Sequence, residues 1–151
     1  TKDFRVLSFC VMDPYRLKDL DFGTIQKLSG KFVDFLVLIP SYMDANRNVR
    51  TNYLNDDNQV VEGFLRKSDW RDRWRSIQNT NKTFGSFIAE EFAGQMRALQ
   101  FENAGLEDMV VIRSDDNNLP LYHLAFFSRN ELGRKFWKQA QKYSDDQMTL
   151  F

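Results

Sequence analysis

Two nearly continuous apolar runs mark the first part of the chain, FRVLSFCVM at residues 4–12 and FVDFLVLIP at residues 32–40. Asp13-Pro14 ends the first and Pro40 closes the second. Short apolar runs bounded by turn residues predict buried strands. Between them, YRLKDLDFGTIQKLSGK repeats apolar residues at helical spacing, at Leu20, Thr24 or Ile25, and Leu28, with Gly30 as a stop. A strand, a helix and a strand joined over so short a link form a βαβ unit, whose two strands run parallel.

The stretch SYMDANRNVRTNYLNDDN, residues 41–58, is polar, rich in Asn and without a sustained period, which predicts a long loop. From Gln59 to Gln78, the positions of Val60, Phe64, Trp70, Trp74 and Ile77 predict an amphipathic helix, broken near Ser68-Asp69. Phe84, Phe87, Ile88, Phe92, Met96 and Leu99 define a second helix. Two β-rich runs flank the polar turn Ser114–Leu119, predicting an antiparallel hairpin within residues 108–128. A last helix over about 130–143 carries Leu132, Phe136, Ala140 and Tyr143 on one face with Trp137 beside them, and SDDQMTLF follows as a tail in which Leu150 and Phe151 dock or fray.

The order β, α, β, loop, α, α, β, β, α predicts a single α/β domain over residues 1–151. Two parallel strands plus an antiparallel hairpin, with helices on both faces, match the layout of the C-terminal half of a Rossmann-like class I methyltransferase sheet. In that layout the first strand has an unpaired apolar edge, a liability in isolation. The expectation is therefore a fragment lacking an N-terminal cofactor-binding half, or an edge covered by another subunit.

Composition narrows the partners. With 21 basic and 21 acidic side chains among 151 residues, the net charge is zero, and any nucleic-acid contact must come from a local site. The 42% hydrophobic content, with 14 Phe and three Trp, supplies a core for a domain of a length that buries about 70% of its unfolded surface. Cys10, the one cysteine, rules out an internal disulfide or cysteine metal cluster and reads as a buried inert thiol. No apolar run reaches the ~20 residues of a membrane span, and no signal peptide is present at the N-terminus. The chain is expected to be cytoplasmic, and a start at Thr1 implies processing, trimming or a fragment.

Ligand sites in open α/β sheets lie beyond the carboxyl ends of the parallel strands. Asp13-Pro14-Tyr15 falls there after the first strand, and Pro40-Ser41-Tyr42 after the second. An amino methyltransferase needs an acceptor for the amine hydrogen, a carbonyl to share it and an aromatic face for a planar base, roles open to Asp13, the Pro14 carbonyl and Tyr15. The usual tetrapeptide for this chemistry is Asp or Asn, Pro, Pro, aromatic, and this chain has one Pro. The plain alternative is a turn in which Asp13 caps the next segment and Tyr15 packs on the helix. Tyr42, Asp44, Asn46, Arg47 and Arg50 add polar groups at the same edge: Arg47 and Arg50 suit phosphate, Asn46 or Asn48 a base edge, against a plain reading as a solvated Asx-turn loop. His123 lacks a second His for a metal pair and reads as a half-buried strand histidine bonded to backbone. Asp115-Asp116-Asn117-Asn118 lacks the Gly and the terminal Glu of an EF-hand. KSDWRDRWRS interleaves Trp with Arg, but its spacing favours burial of Trp70 and Trp74 in a core or interface over a stacking platform. There is no glycine-rich phosphate loop.

Four segments, VMDPYRLKDLDFGTIQKL, VDFLVLIPSYMDANRNV, YHLAFFSRNELGRKFWKQAQKYS and QMTLF, resemble the C-terminal half of the three-Cys-motif partner proteins, over nearly the whole chain. Members are similar to class I methyltransferases in layout and are encoded beside a three-cysteine, radical-SAM-like protein. The resemblance implies S-adenosylmethionine as cofactor, held by an N-terminal portion that this chain does not contain, and the three-cysteine protein or a nucleic acid as partner. It sets Asp13, Pro14 and Tyr15 on the Asp-Pro-aromatic segment, and Asp44, Asn46 and Arg47 on the polar segment after the next strand. The functions it implies are methyl transfer to a nucleic-acid amine, with Tyr42, Asp44, Asn46 and Arg47 on the substrate, or a non-catalytic role that binds or regulates the three-cysteine partner.

Overall fold

The computed structural model describes residues 7–30, 32–102 and 104–148, with side chains through Tyr143 in the last helix. Four strands, β1 (Ser8–Met12), β2 (Val33–Ile39), β3 (Val110–Arg113) and β4 (Pro120–Phe127), form one mixed sheet in the order β1-β2-β4-β3. β1 runs parallel to β2 with Phe9 opposite Asp34 and Val11 opposite Leu36, and β4 is antiparallel to both β2 and β3. The predicted βαβ unit and hairpin are present, and β4 inserts between β2 and β3. The fold is α/β with an open sheet.

Helix α1 (Phe22–Leu28) starts where Asp21 accepts a hydrogen bond from the Gly23 amide at 2.7 Å, as an N-cap does, and ends at Ser29, just before Gly30. α3 (Val60–Leu65) and α4 (Trp70–Ile77) are one amphipathic pattern broken in two, because Arg66 takes a left-handed conformation (φ 49°, ψ 49°) before the predicted Ser68-Asp69 break. α5 (Phe84–Ala98) is capped by the Thr83 hydroxyl on the Ser86 amide at 3.1 Å. Its stripe of Phe84, Phe87, Ile88, Phe92 and Met96 is buried. Aromatic contacts tie the helices to the sheet: Phe92 meets Phe22, Phe64 and Phe127 at 5.5, 5.1 and 5.8 Å, and Phe101 meets Phe35 at 5.7 Å. Each fully buried ring of this kind contributes about 1.5–3 kcal/mol by area alone. Trp70 and Trp74 pack on Phe84, inside the chain's own core.

Two expectations are corrected. Residues 41–58 are not a long loop: Ser41–Ala45 and Val49–Tyr53 form π-helical turns around the short α2 (Asn46–Asn48). Side chains supply the order that periodicity does not show, since Asn48 Nδ2 donates to the Asp44 carbonyl, Asn52 to Asn48, and Asn55 to the Thr51 carbonyl, each four residues back. The first apolar run is not buried on both faces either. β1 lies at the sheet edge with Phe9 60% and Val11 58% exposed.

The last helix, α6 (Glu131–Met148), runs past the predicted end at residue 143, through most of the expected tail. Leu150 and Phe151 lie outside the described residues. α6 packs on the second face of the sheet over β4, where Trp137 meets Phe126 at 5.6 Å and donates to the Asp108 carbonyl, and its first turn reaches Asp34 of β2 at Gly133. Leu132, Phe136 and Tyr143 are 73%, 67% and 71% exposed, so the apolar stripe read from the sequence points outward. Cys10 is partly buried and packs against the core.

Candidate functional site

The parallel strands β1 and β2 end on the same side of the molecule. Beyond β1, Met12, Asp13, Pro14, Tyr15, Asp19 and Leu20 line an open depression of about 410 Å³. Pro14 is buried, Asp13 is exposed, and Tyr15 is 69% exposed. Neither role of the plain turn reading falls to these residues. Asp19 accepts from the Arg16 amide at 2.9 Å and Asp21 caps α1, while Asp13 makes no hydrogen bond or ion pair with any described residue. Tyr15 presents its ring to solvent instead of to the helix. Tyr122, at the start of β4, completes the local chemistry. Its phenol is raised above the ordinary value by burial first, then by the negative charge of Asp13 and by Tyr15.

Beyond β2 the same residue types do different work. Asp44 is 3% exposed and its carboxylate holds three donors: the Leu17 amide at 2.7 Å, the Tyr53 hydroxyl at 2.5 Å and Asn48 Nδ2 at 2.7 Å. It pins the 3₁₀ turn Leu17–Asp19, which follows Tyr15, to the helical segment after β2. Burial raises the Tyr53 phenol, and its hydrogen bond to Asp44 and the Asp44 charge add to the effect. Asn46 Oδ1 accepts from the Gly85 amide at 2.6 Å, which fixes the start of α5. A Cβ on Gly85 would sit 2.8 Å from the Ser41 carbonyl carbon, so glycine is required there by the close approach of two backbones.

His123 is 3% exposed, and its Nδ1 lies 2.6 Å from the Ser41 hydroxyl. It is therefore fully buried and bonded to a side chain, not half-buried and bonded to backbone. Tyr42 stacks on the imidazole at 5.4 Å, with 15° between the planes. Burial lowers the His123 pKa, which favours the neutral ring in this packed position.

Of the predicted site residues, Asp13, Pro14 and Tyr15 meet at one accessible depression. Asp44 is joined to that turn through the Leu17 amide, but its carboxylate is engaged in holding the fold. Tyr42 and Asn46 are engaged in packing and in anchoring α5, and Arg47 is exposed with no hydrogen bond or ion pair to a described residue. Ser41, Tyr53 and Tyr122 were not among the predicted site residues. Tyr122 had a readable signal: an aromatic opening a strand antiparallel to β2 must lie at the end of the sheet where β1 and β2 finish.

Among the described residues no three His, Cys, Asp or Glu side chains cluster to hold a metal ion. The turn after β1 is Asp-Pro-Tyr, not the glycine-rich turn that brings backbone amides to a nucleotide cofactor, so the residues present do not fit S-adenosylmethionine and none is assigned to it. Compared with family models, with curated proteins and with solved structures, the chain matches none.

Proposed function

We propose that this chain is the acceptor-side half of a methyltransferase-like protein of the three-Cys-motif partner kind, presenting Asp13-Pro14-Tyr15 to an exocyclic amine of a nucleic-acid base. The observation that carries this reading is an exposed carboxylate without a partner among the described residues, sharing an open depression with a solvent-facing Tyr ring at the carboxyl end of a parallel strand. A free carboxylate accepts an amine hydrogen and directs the nitrogen lone pair away from itself, the Pro14 carbonyl takes the second hydrogen, and Tyr15 stacks on the base. Arg47, exposed on the neighbouring segment, contacts the phosphate backbone. The strand order β1-β2-β4-β3, with antiparallel β4 inserted, is compatible with the second half of a Rossmann-like sheet. Methyl transfer also requires an S-adenosylmethionine site, which belongs to residues outside this chain's own set.

The test is methyl transfer from S-adenosylmethionine to RNA and DNA oligonucleotides by the complete protein, with Asp13→Ala as the diagnostic variant. Activity lost in that variant with an unchanged melting temperature supports the reading. Retained activity removes Asp13 from the mechanism, and no calorimetric signal with millimolar S-adenosylmethionine argues against an enzyme altogether.

A second reading, a non-catalytic protein that docks on the radical-SAM-like three-cysteine partner, is favoured by one observation. Phe9 and Val11 on β1 and Leu132 and Phe136 on α6 present exposed apolar surface, and β1 is an edge strand of the sheet among the described residues. This surface, not the Trp70/Trp74 face, is the one available to a partner or a covering subunit, because both tryptophans are buried within the chain. No helix among the described residues is long and apolar enough to cross a membrane.

A further inference from the structure

At the end of the sheet opposite Asp13, a cavity of about 490 Å³ opens between the edge of β1, the turn before β2 and the start of α6. Its volume lies in the range of small-ligand sites. Leu7, Phe32 and Val33 supply apolar walls, and Asp34, Arg129 and Glu131 supply charge. Asp34 is 7% exposed, yet it makes no hydrogen bond or ion pair with any described residue. Neither of its oxygens is among the described buried side-chain atoms cut off from solvent without a partner, so the carboxylate opens into the cavity, where it is free to meet a cation.

The nearest candidate does not serve. Arg129 turns away from Asp34, with Nη1 donating to the Ser29 carbonyl at 2.6 Å, Nε and Nη2 to the Leu99 carbonyl at 2.9 and 2.7 Å, and its guanidinium stacked on Phe101 at 4.2 Å. Glu131, at the rim, pairs with Lys135 in an exposed bridge. The close approach of α6 also depends on Gly133, where a Cβ would sit 3.2 Å from Asp34 Oδ2. The first turn of α6 therefore lies directly against the carboxylate.

We infer that this cavity is a binding site for a primary ammonium group carried on an apolar stem, with Asp34 as its counter-ion. A bare metal ion suits it poorly, because hard cations ask for six or more oxygen ligands and the described residues hold no cluster of three metal-ligating side chains. An alkylammonium ion uses both parts of the cavity. The charged head meets the Asp34 carboxylate in a charge-assisted hydrogen bond, and the stem lies along the apolar walls of Leu7, Phe32 and Val33. The same chemistry is offered by a free amine and by a lysine side chain of a docked polypeptide. This inference is independent of the site at Asp13.

Amide-resolved NMR titrations of the full chain with pentylamine, with Nα-acetyl-lysine methylamide and with pentanol test it. Saturable shifts at Gly30, Val33 and Asn130 are expected for both amines, with dissociation constants of about millimolar. Asp34→Asn should weaken both by at least about tenfold, and pentanol should give no saturable shift. Tighter binding of the capped lysine identifies a polypeptide source, and tighter binding of pentylamine a free amine. Absence of saturable shifts with either amine up to about 50 mM overturns the inference. So do equal affinities in Asp34→Asn, or shifts by pentanol that match those by pentylamine, a comparison on the wild-type chain that holds even if the variant does not fold.

Discussion

The segments that follow β1 and β2 leave the sheet at the same end and carry similar residues, Asp13-Pro14-Tyr15 after one and Pro40, Tyr42 and Asp44 after the other. Around Asp44 the chain closes over the carboxylate and uses its lone pairs to satisfy a buried amide and a buried hydroxyl that would otherwise lack partners, and to hold the Asn48 carboxamide. Around Asp13 the neighbouring donors are served by Asp19 and Asp21, and the carboxylate is left facing solvent. An Asp that stabilises a fold and an Asp available to a ligand thus differ in the donors nearby, not in the residue or in its position after a strand. Burial separates the two tyrosines in the same way, Tyr53 being 6% and Tyr15 69% exposed.

That contrast is most exposed to refutation in the energetics of Asp44. Replacing it by Ala strands two buried donors, the Leu17 amide and the Tyr53 hydroxyl, while Asn48 keeps its bond to the carbonyl of residue 44, so urea denaturation should show a loss of about 3 kcal/mol. A loss near zero would make Asp44 as dispensable as Asp13 and erase the distinction. Next in size, Gly85→Ala forces a methyl group against the Ser41 backbone and should cost about 2 kcal/mol, read in the same experiment. That result would confirm that the segment after β2 is clamped to α5 by close backbone contact as well as by polar side chains.

A smaller effect is expected from pH. Burial holds the folded-state pKa of His123 below its unfolded value of about 6.5, so below that pH the unfolded chain binds the proton first. The contribution of the neutral ring is complete above about pH 6.5 and is lost as pH falls from there towards the lower folded value. Urea midpoints measured across this interval should drop with acidification in the wild type and drop less in His123→Gln. Equal slopes would show that the Ser41–His123 pair does not govern this end of the sheet. The smallest effect belongs to the other segment: Asp13→Ala and Tyr15→Ala should each shift stability by no more than about 0.5 kcal/mol, as exposed and unpartnered groups do. Under the proposed function, methyl transfer to the amine or base binding should fail in the same variants.

Much of the architecture was legible in the chain. The two apolar runs, the helical spacing between them and the polar turn at Ser114–Leu119 specify a parallel pair and a hairpin, because strand and helix periods are local properties of covalent geometry. The helical turns of residues 41–53 were not legible, since their order comes from Asn and Asp side chains bonding four residues back and from Asp44 reaching to Leu17. The outward stripe of α6 shows the limit of periodicity from the other side. Leu132, Phe136 and Tyr143 have the spacing of a buried face, but which face meets the sheet depends on Trp137 finding Phe126 and the Asp108 carbonyl.

By itself, then, the sequence determined the elements, the direction of β1 and β2 and the placement of Asp13-Pro14-Tyr15 at a strand end. Only the tertiary structure decided that Asp13 stays available while Asp44 is engaged, that His123 is buried against Ser41, and that Asp34 lines a cavity without a counter-ion among the described residues. The physical reason is that a backbone conformation is set by neighbours in sequence, whereas the fate of a charge is set by the donors and the solvent that folding brings to it.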